Sequence, residues 1–158
     1  MDKFPITTEG YAKLQAEIKQ LRNVERPRVI AEIASARELG DLSENAEYHA
    51  ARDKQGFIEG KIIDLEDKSA RAEVIDISKL SGTVVRFGAG VQLLDEETGE
   101  KYSYSIVGDY EADINKGLVS ISSPIAKGLI GKSQGESVEI ITPKGIKYYE
   151  ITTVKYNN

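Results

Sequence analysis

Apolar residues first fall at Tyr11, Leu14, Ile18 and Leu21, spaced 3, 4, 3, the repeat that lays a seam along one face of a helix. Thr7 or Thr8 can cap this helix, with Glu9 in its first turn. Arg26-Pro27 then interrupts, because proline has no N–H and disfavours helix at the residue before it. Beyond it the pattern resumes one residue out of phase, at Val29, Ile30, Ile33 and Ala36, which predicts a bend near Arg26-Pro27. Leu39-Gly40 reads as a helix stop, and Asp41 or Ser43 as the cap of a new start. From there Tyr48, Ala51, Gln55, Ile58, Ile62, Leu65, Ser69 and Ala72 alternate steps of 3 and 4 without a slip. That register predicts a helix over 44–74, roughly 45 Å long at 1.5 Å per residue. Gln55 and Ser69 are polar seam positions of the kind that fix pairing register. Two helices joined by a short turn double back as an antiparallel hairpin. A helix pair this thin has no globular core, so its far end is expected to stand in solvent.

Near residues 75–77 the helical period gives way to β-branched alternation and more glycine, which puts the expected boundary between a domain over 1–76 and one over 80–158. Strands are predicted at 82–87, 91–95, 101–107, 118–121, 137–142 and 146–156. Glu96-Glu97-Thr98-Gly99 and Pro143-Lys144-Gly145 read as hairpin turns. Ser123 followed by Pro124 opens a short helix that Gly131 closes. The second domain is therefore expected to be a twisted antiparallel sheet with one short helix, and the whole chain α+β.

Composition narrows the function classes. The 158 residues carry no cysteine, one histidine and a net charge of -5. That excludes a disulfide framework, thiolate metal sites and multi-histidine metal sites. An acidic balance argues against a general nucleic-acid binder, whose affinity comes from clustered Lys and Arg. No apolar run approaches the roughly 18 residues of a membrane span, and the N-terminal residues have no apolar signal core. A cytoplasmic protein without membrane contact is expected. A monomer is the simplest expectation, since the seam can be satisfied within the hairpin.

The candidate chemistry lies at the hairpin turn. Asp41 and Glu44 sit three apart at a helix start, where side chains can lie within about 5–6 Å on one face. A capping box explains that spacing, with Asp41 on a first-turn N–H and Glu44 reaching back. Ser43 as cap with Glu44 and Glu47 on the positive helix end explains it equally well. A third reading is half a metal site. Mg²⁺ takes six oxygens, of which proteins commonly give one or two carboxylates, so this pair is completed only where other acids and phosphates wait. Arg37 and Arg52 flank the turn, either as surface ion pairs or as contacts to a nucleic-acid backbone.

The run Gly40-Asp41-Leu42-Ser43-Glu44-Asn45-Ala46-Glu47-Tyr48, continued by His49-Ala50-Ala51-Arg52, resembles the tip motif of the bacterial Gre transcript-cleavage factors, the GreA type more than GreB. Arg26-Pro27, Gln55-Gly56-Phe57, Ile106-Val107-Gly108, Glu111-Ala112-Asp113 and Ser123-Pro124-Ile125-Ala126 with Gly128-Leu129-Ile130-Gly131-Lys132 extend the likeness over the whole chain. The resemblance implies an FKBP-like C-terminal domain that docks at the rim of the secondary channel of bacterial RNA polymerase. It implies a coiled coil that enters the channel and a tip that helps hold Mg²⁺ and orient water in the polymerase active site. The polymerase's own hydrolytic activity then cuts the backtracked nascent RNA. Asp41 and Glu44 match the catalytic tip acids and share the metal. Arg37, Asn45 and Arg52 match the tip neighbours that contact RNA, and Ser122, Pro124 and Ile125 match the docking segment. The implied factor is not itself an enzyme, binds no cofactor when isolated, and meets nucleic acid only through the polymerase complex. Position 43 is Ser where some relatives have Lys, which trims local positive charge.

Two other readings compete. Some Gre-like relatives bind the channel and inhibit, but with altered tips, and the Asp41/Glu44 pair is intact here. A prolyl isomerase needs a pocket lined with aromatics, whereas residues 80–158 offer Phe87 and tyrosines without Trp.

Overall fold

The computed structural model describes residues 2–156. The chain forms two compact units, one of Tyr11–Arg71, the other of Asp2–Gly10 together with the residues from Ala72 onward. The first unit is helical. Helix α1 (Thr8–Gln20) leads into a five-residue π turn over Leu21–Glu25, then α2 (Arg26–Arg37), and α3 (Ala46–Arg71) returns. In the π turn the Arg26 N–H reaches back to the Leu21 carbonyl, one residue farther than in an α-helix. Proline at the second position of α2 has no N–H to offer and crowds the carbonyl four residues earlier. The wide turn loosens the ladder where that crowding falls and takes up one extra residue. It accounts for the phase slip: the buried residues Leu14 and Leu21 are seven apart, Val29 and Ala36 are seven apart, and Leu21 and Val29 are eight apart. The irregularity thus lies just upstream of the expected bend. Ile30 falls off the seam and is 50% exposed.

Opposite them, Ala51, Ile58, Ile62 and Leu65 of α3 are buried. Leu14, Val29 and Ile62 are almost wholly removed from water, each a contribution of about 1.5–3 kcal/mol. The polar seam position Ser69 accepts a hydrogen bond from Gln15. Arg22 pairs with Glu66, the Arg26 fork grips both oxygens of Glu59 at 2.7 Å, and Lys54 meets Glu32 at 3.3 Å. Partner numbers fall on α3 as they rise on α1 and α2, so the hairpin is antiparallel.

Helix α3 ends at Arg71, short of the expected 74. The β-branched pair Val74-Ile75 favours extended backbone, and β2 (Ala72–Ile75) pairs in parallel with β1 (Phe4–Thr7). The 1–76 helical domain expected from the sequence therefore gives up both ends to the second unit.

That unit is built on a five-stranded sheet in the order β5-β4-β3-β7-β6. Its strands are β3 (Gly90–Asp95), β4 (Lys101–Val107), β5 (Leu118–Ser120), β6 (Ser137–Thr142) and β7 (Gly145–Lys155). Helix α4 (Pro124–Leu129) covers a core that includes Val85, Leu93, Ile106, Leu129, Ile140 and Ile151. Two expectations are corrected. The sheet is not wholly antiparallel: β5 pairs with β4 in parallel, after 3₁₀ turns at Asp109–Glu111 and Ile114–Lys116 and a reversal at Gly117, φ 76°. Alternation reports which face is buried and is blind to strand direction. Residues 82–87 are not a strand either. Gly82 (φ 114°) and Gly88 (φ 89°) bend the chain at both ends, and Val84 makes an isolated bridge to Ser133. Among the described residues no helix is long and apolar enough to cross a membrane.

Candidate functional site

Helix α2 unwinds through tighter turns, with the amides of Glu38 and Leu39 bonding the carbonyls of Ser35 and Ala36 at 3.2 and 3.1 Å. Gly40 then reverses the chain at φ 111°, a conformation closed to residues with a Cβ. Asp41 folds over the turn and accepts from the Ser43 amide at 2.9 Å and the Ser43 hydroxyl at 2.8 Å. The Ser43 hydroxyl first, and its N–H second, hold the Asp41 carboxyl below the usual aspartate range.

The cap of α3 is Asn45, not Asp41 or Ser43 as the sequence suggested. Its Oδ1 accepts from the Tyr48 amide at 3.0 Å, and its Nδ2 donates to the Ala36 carbonyl at 2.6 Å. A carboxylate only accepts, whereas an amide both accepts and donates. Asparagine can therefore cap the new helix and close the end of the old one. The capping box does not form. Glu44 is exposed and, among the described residues, its carboxylate has no partner. Of the two acids, Asp41 is held by the turn and Glu44 projects without a structural task.

Around them, Arg52 donates to the Tyr48 hydroxyl at 3.1 Å and lies 5.9 Å from the Tyr48 ring centre. His49 meets Tyr48 edge-on at 5.5 Å, with its Nε2 3.4 Å from the Ser43 carbonyl. Arg37 is exposed and forms no ion pair among the described residues. The turn thus gathers Arg37, Asp41, Glu44 and Arg52 at one end of the helical unit and commits the Asn45 amide to the backbone. Among the described residues no three His, Cys, Asp or Glu side chains converge as a metal set. Two exposed carboxylates fit the share of a Mg²⁺ shell that a protein commonly supplies, with the remaining oxygens from elsewhere.

The other predicted group lies in the sheet unit. Ser122 and Pro124 are exposed, and Ile125 is half-buried against the core. Ser123 caps α4 by accepting from the Ala126 amide at 3.2 Å, with Pro124 in the first turn. Ser122 donates to Asp109 at 2.8 Å, a partner that sequence reasoning missed. It also missed Glu111, which accepts from the Thr7 amide at 2.9 Å, from the Thr7 hydroxyl and from the Gly108 amide at 3.2 Å. Gly10 was the available signal, since a Cβ there would strike the Glu111 side chain.

Two family models match the chain, one described as "Transcription elongation factor, N-terminal" over residues 4–74 and one as "Transcription elongation factor, GreA/GreB, C-term" over 80–156. A protein described as transcription elongation factor GreA from Rickettsia typhi is 63% identical over 154 residues, covering 98% of this chain and 95% of its own. One of the same description from Phenylobacterium zucineum is 60% identical over 156 residues, covering 99% of both. Among solved structures, GreA factor homolog 1 (Gfh1) of Thermus thermophilus is 27% identical, with a TM-score of 0.44, 96% of this chain and 98% of that one being covered.

Proposed function

The chain belongs to the GreA/GreB family of transcription elongation factors, and from that membership we propose that it acts on bacterial RNA polymerase by carrying its tip acids into the polymerase active site. The helical hairpin enters the secondary channel and the sheet unit docks at the rim through Ser122, Pro124 and Ile125. The polymerase then cleaves the 3′ end of backtracked RNA, and arrested complexes resume elongation. The protein works in the cytoplasm as a monomer, and without polymerase it cuts no RNA.

The observation that carries this reading is the freedom of Glu44. Asn45 does the capping, so a carboxylate at the most prominent turn of the chain is left for a partner. Asp41 and Glu44 would hold Mg²⁺ jointly with the polymerase's own groups. Such an ion activates water and stabilises the leaving oxygen of a phosphodiester. Ser43 keeps Asp41 ionised and oriented, so no proton need be lost on arrival. Asn45 fixes the spacing between the ends of α2 and α3, which places the two acids together. Arg37 and Arg52 approach the RNA backbone and offset the repulsion between its phosphates and the acids.

The test uses a stalled, backtracked elongation complex carrying 3′-labelled RNA and Mg²⁺, with polymerase binding measured in parallel. Wild type should release the short labelled fragment rapidly. Asp41→Asn and Glu44→Gln should bind and fail to stimulate release. Equal cleavage by wild type and both variants would refute the assignment of the acids.

A further inference from the structure

We propose that Asp109 is a positioning residue for polymerase docking, its carboxylate fixing the direction of the Ser122 side chain beside Pro124. The inference rests on the docking role given above to Ser122 and Pro124. Asp109 opens the 3₁₀ turn Asp109–Glu111 between β4 and β5. Its Oδ1 accepts from the hydroxyls of both Ser120 and Ser122. Those two hydroxyls are 2.8 Å apart, and Ser120 Oγ also accepts from the Ser122 amide at 3.1 Å. Every group in this ring has a proton to give except the carboxylate. A serine hydroxyl rotates to suit its surroundings, so two neighbouring serines left to themselves would share protons with each other and with water. A charged acceptor common to both selects one arrangement, and hydrogen bonds to charged groups are the stronger ones. Consistent with this, the Ser120 hydroxyl first and the Ser122 hydroxyl second keep the Asp109 carboxyl ionised below its ordinary range.

The support behind Asp109 is rigid. Two residues on, Glu111 binds Thr7 twice and the Gly108 amide once, and Gly108 packs so closely that a Cβ would meet the Pro5 carbonyl. The backbone of the docking bend has its own bonds, Ile121 N–H to the Val107 carbonyl at 2.8 Å and Ser123 N–H to the Ser120 carbonyl at 2.9 Å. The main chain therefore keeps its path without Asp109. What Asp109 adds is the aim of the exposed hydroxyl at the surface that meets the polymerase.

Cleavage of backtracked complexes, titrated with factor, separates docking from chemistry, because the half-saturating concentration reports binding and the saturated rate reports the tip. Asp109→Ala should raise the half-saturating concentration about tenfold, the loss of one or two charged hydrogen bonds, and leave the saturated rate unchanged. Asp109→Asn, which keeps a neutral oxygen acceptor, should fall between. The double variant Asp109→Ala/Ser122→Ala should be no weaker than Asp109→Ala alone, since the effect passes through Ser122. Ser120→Ala and Ser122→Ala, with Asp109 untouched, give the same direction and carry the test if Asp109→Ala does not fold by thermal melting. The inference falls, with the docking reading intact, if Pro124→Ala weakens binding while Asp109→Ala and both serine variants titrate as wild type. It falls also if the double variant loses the sum of the single effects. Both readings fall if wild type neither binds polymerase nor stimulates cleavage.

Discussion

Asn45 closes the tip with two hydrogen bonds that point in opposite directions along the chain, and two substitutions separate them. Asn45→Ala removes both. The lost cap costs α3 about 1 kcal/mol, and the lost donation to Ala36 about another 1 kcal/mol. Asn45→Asp has the same shape and keeps an oxygen for the Tyr48 amide, where a negative charge at a helix N-terminus is favourable. It replaces the donor facing the Ala36 carbonyl with a second acceptor, so closure is lost while the cap survives. The assay is amide exchange at Tyr48, read by NMR alongside stimulated RNA cleavage. Asn45→Ala should speed Tyr48 exchange about fivefold, the equivalent of roughly 1 kcal/mol, while Asn45→Asp leaves it near wild type. Both should lower the saturated cleavage rate, because both let the acids drift even though Asp41 and Glu44 are untouched. Two results would refute this reasoning. One is wild-type cleavage by Asn45→Asp, which would mean the bond to Ala36 fixes nothing. The other is slow Tyr48 exchange in Asn45→Ala combined with lost cleavage, which would make Asn45 a direct contact to RNA and not a staple.

Ser43→Ala should raise the Asp41 pKa part of the way to the usual aspartate value, because the hydroxyl is the larger cause of its depression and the backbone N–H remains; a carboxyl-carbon NMR titration measures it, and an unmoved midpoint counts against the turn described. The sign follows from a lowered folded-state pKa: the stabilisation is present above the unfolded aspartate range and is lost as pH falls through the lowered value. Gly56 and Gly60 sit inside α3 with open space where a Cβ would stand, so Gly56→Ala and Gly60→Ala should each stabilise the protein by about 0.4–1 kcal/mol in thermal or urea melts. Gly108→Ala should destabilise by about 1–3 kcal/mol, since the added Cβ meets the backbone oxygen of Pro5, which cannot rotate away; a melt unchanged from wild type would contradict the close approach.

The helical unit was legible because its seam is periodic. Ala51, Ile58, Ile62 and Leu65 were named by spacing and are buried, and even the one-residue slip after Leu21 showed as a phase change before its cause was known. The tip was legible less fully. Several side chains between residues 41 and 45 can cap a helix, and propensity ranks Asp, Ser and Asn about equally. The choice of Asn45 depends on the Ala36 carbonyl, nine residues back and on another helix, which no local pattern encodes. Strand direction failed for a related reason, since the parallel pairing of β4 with β5 is decided by the path of residues 108–117. The link from Thr7 to Glu111 joins positions that are 104 apart, and only the glycines packed against it hint at its presence.

The π turn at Leu21–Glu25 has a bearing on insertions and deletions. Each residue of an α-helix turns the chain about 100°. Removing one residue from this segment would restore an even helix and rotate everything after it by about that angle. Ala36 would leave the seam, Arg37 would swing to a different side of the hairpin, and the carbonyl that Asn45 holds would face elsewhere. The wide turn is a phase shifter that lets a segment one residue too long for a heptad still deliver its end in the correct azimuth. The direction in which the tip faces is therefore set by a residue count a whole helix away, in a stretch that carries none of the tip's chemistry.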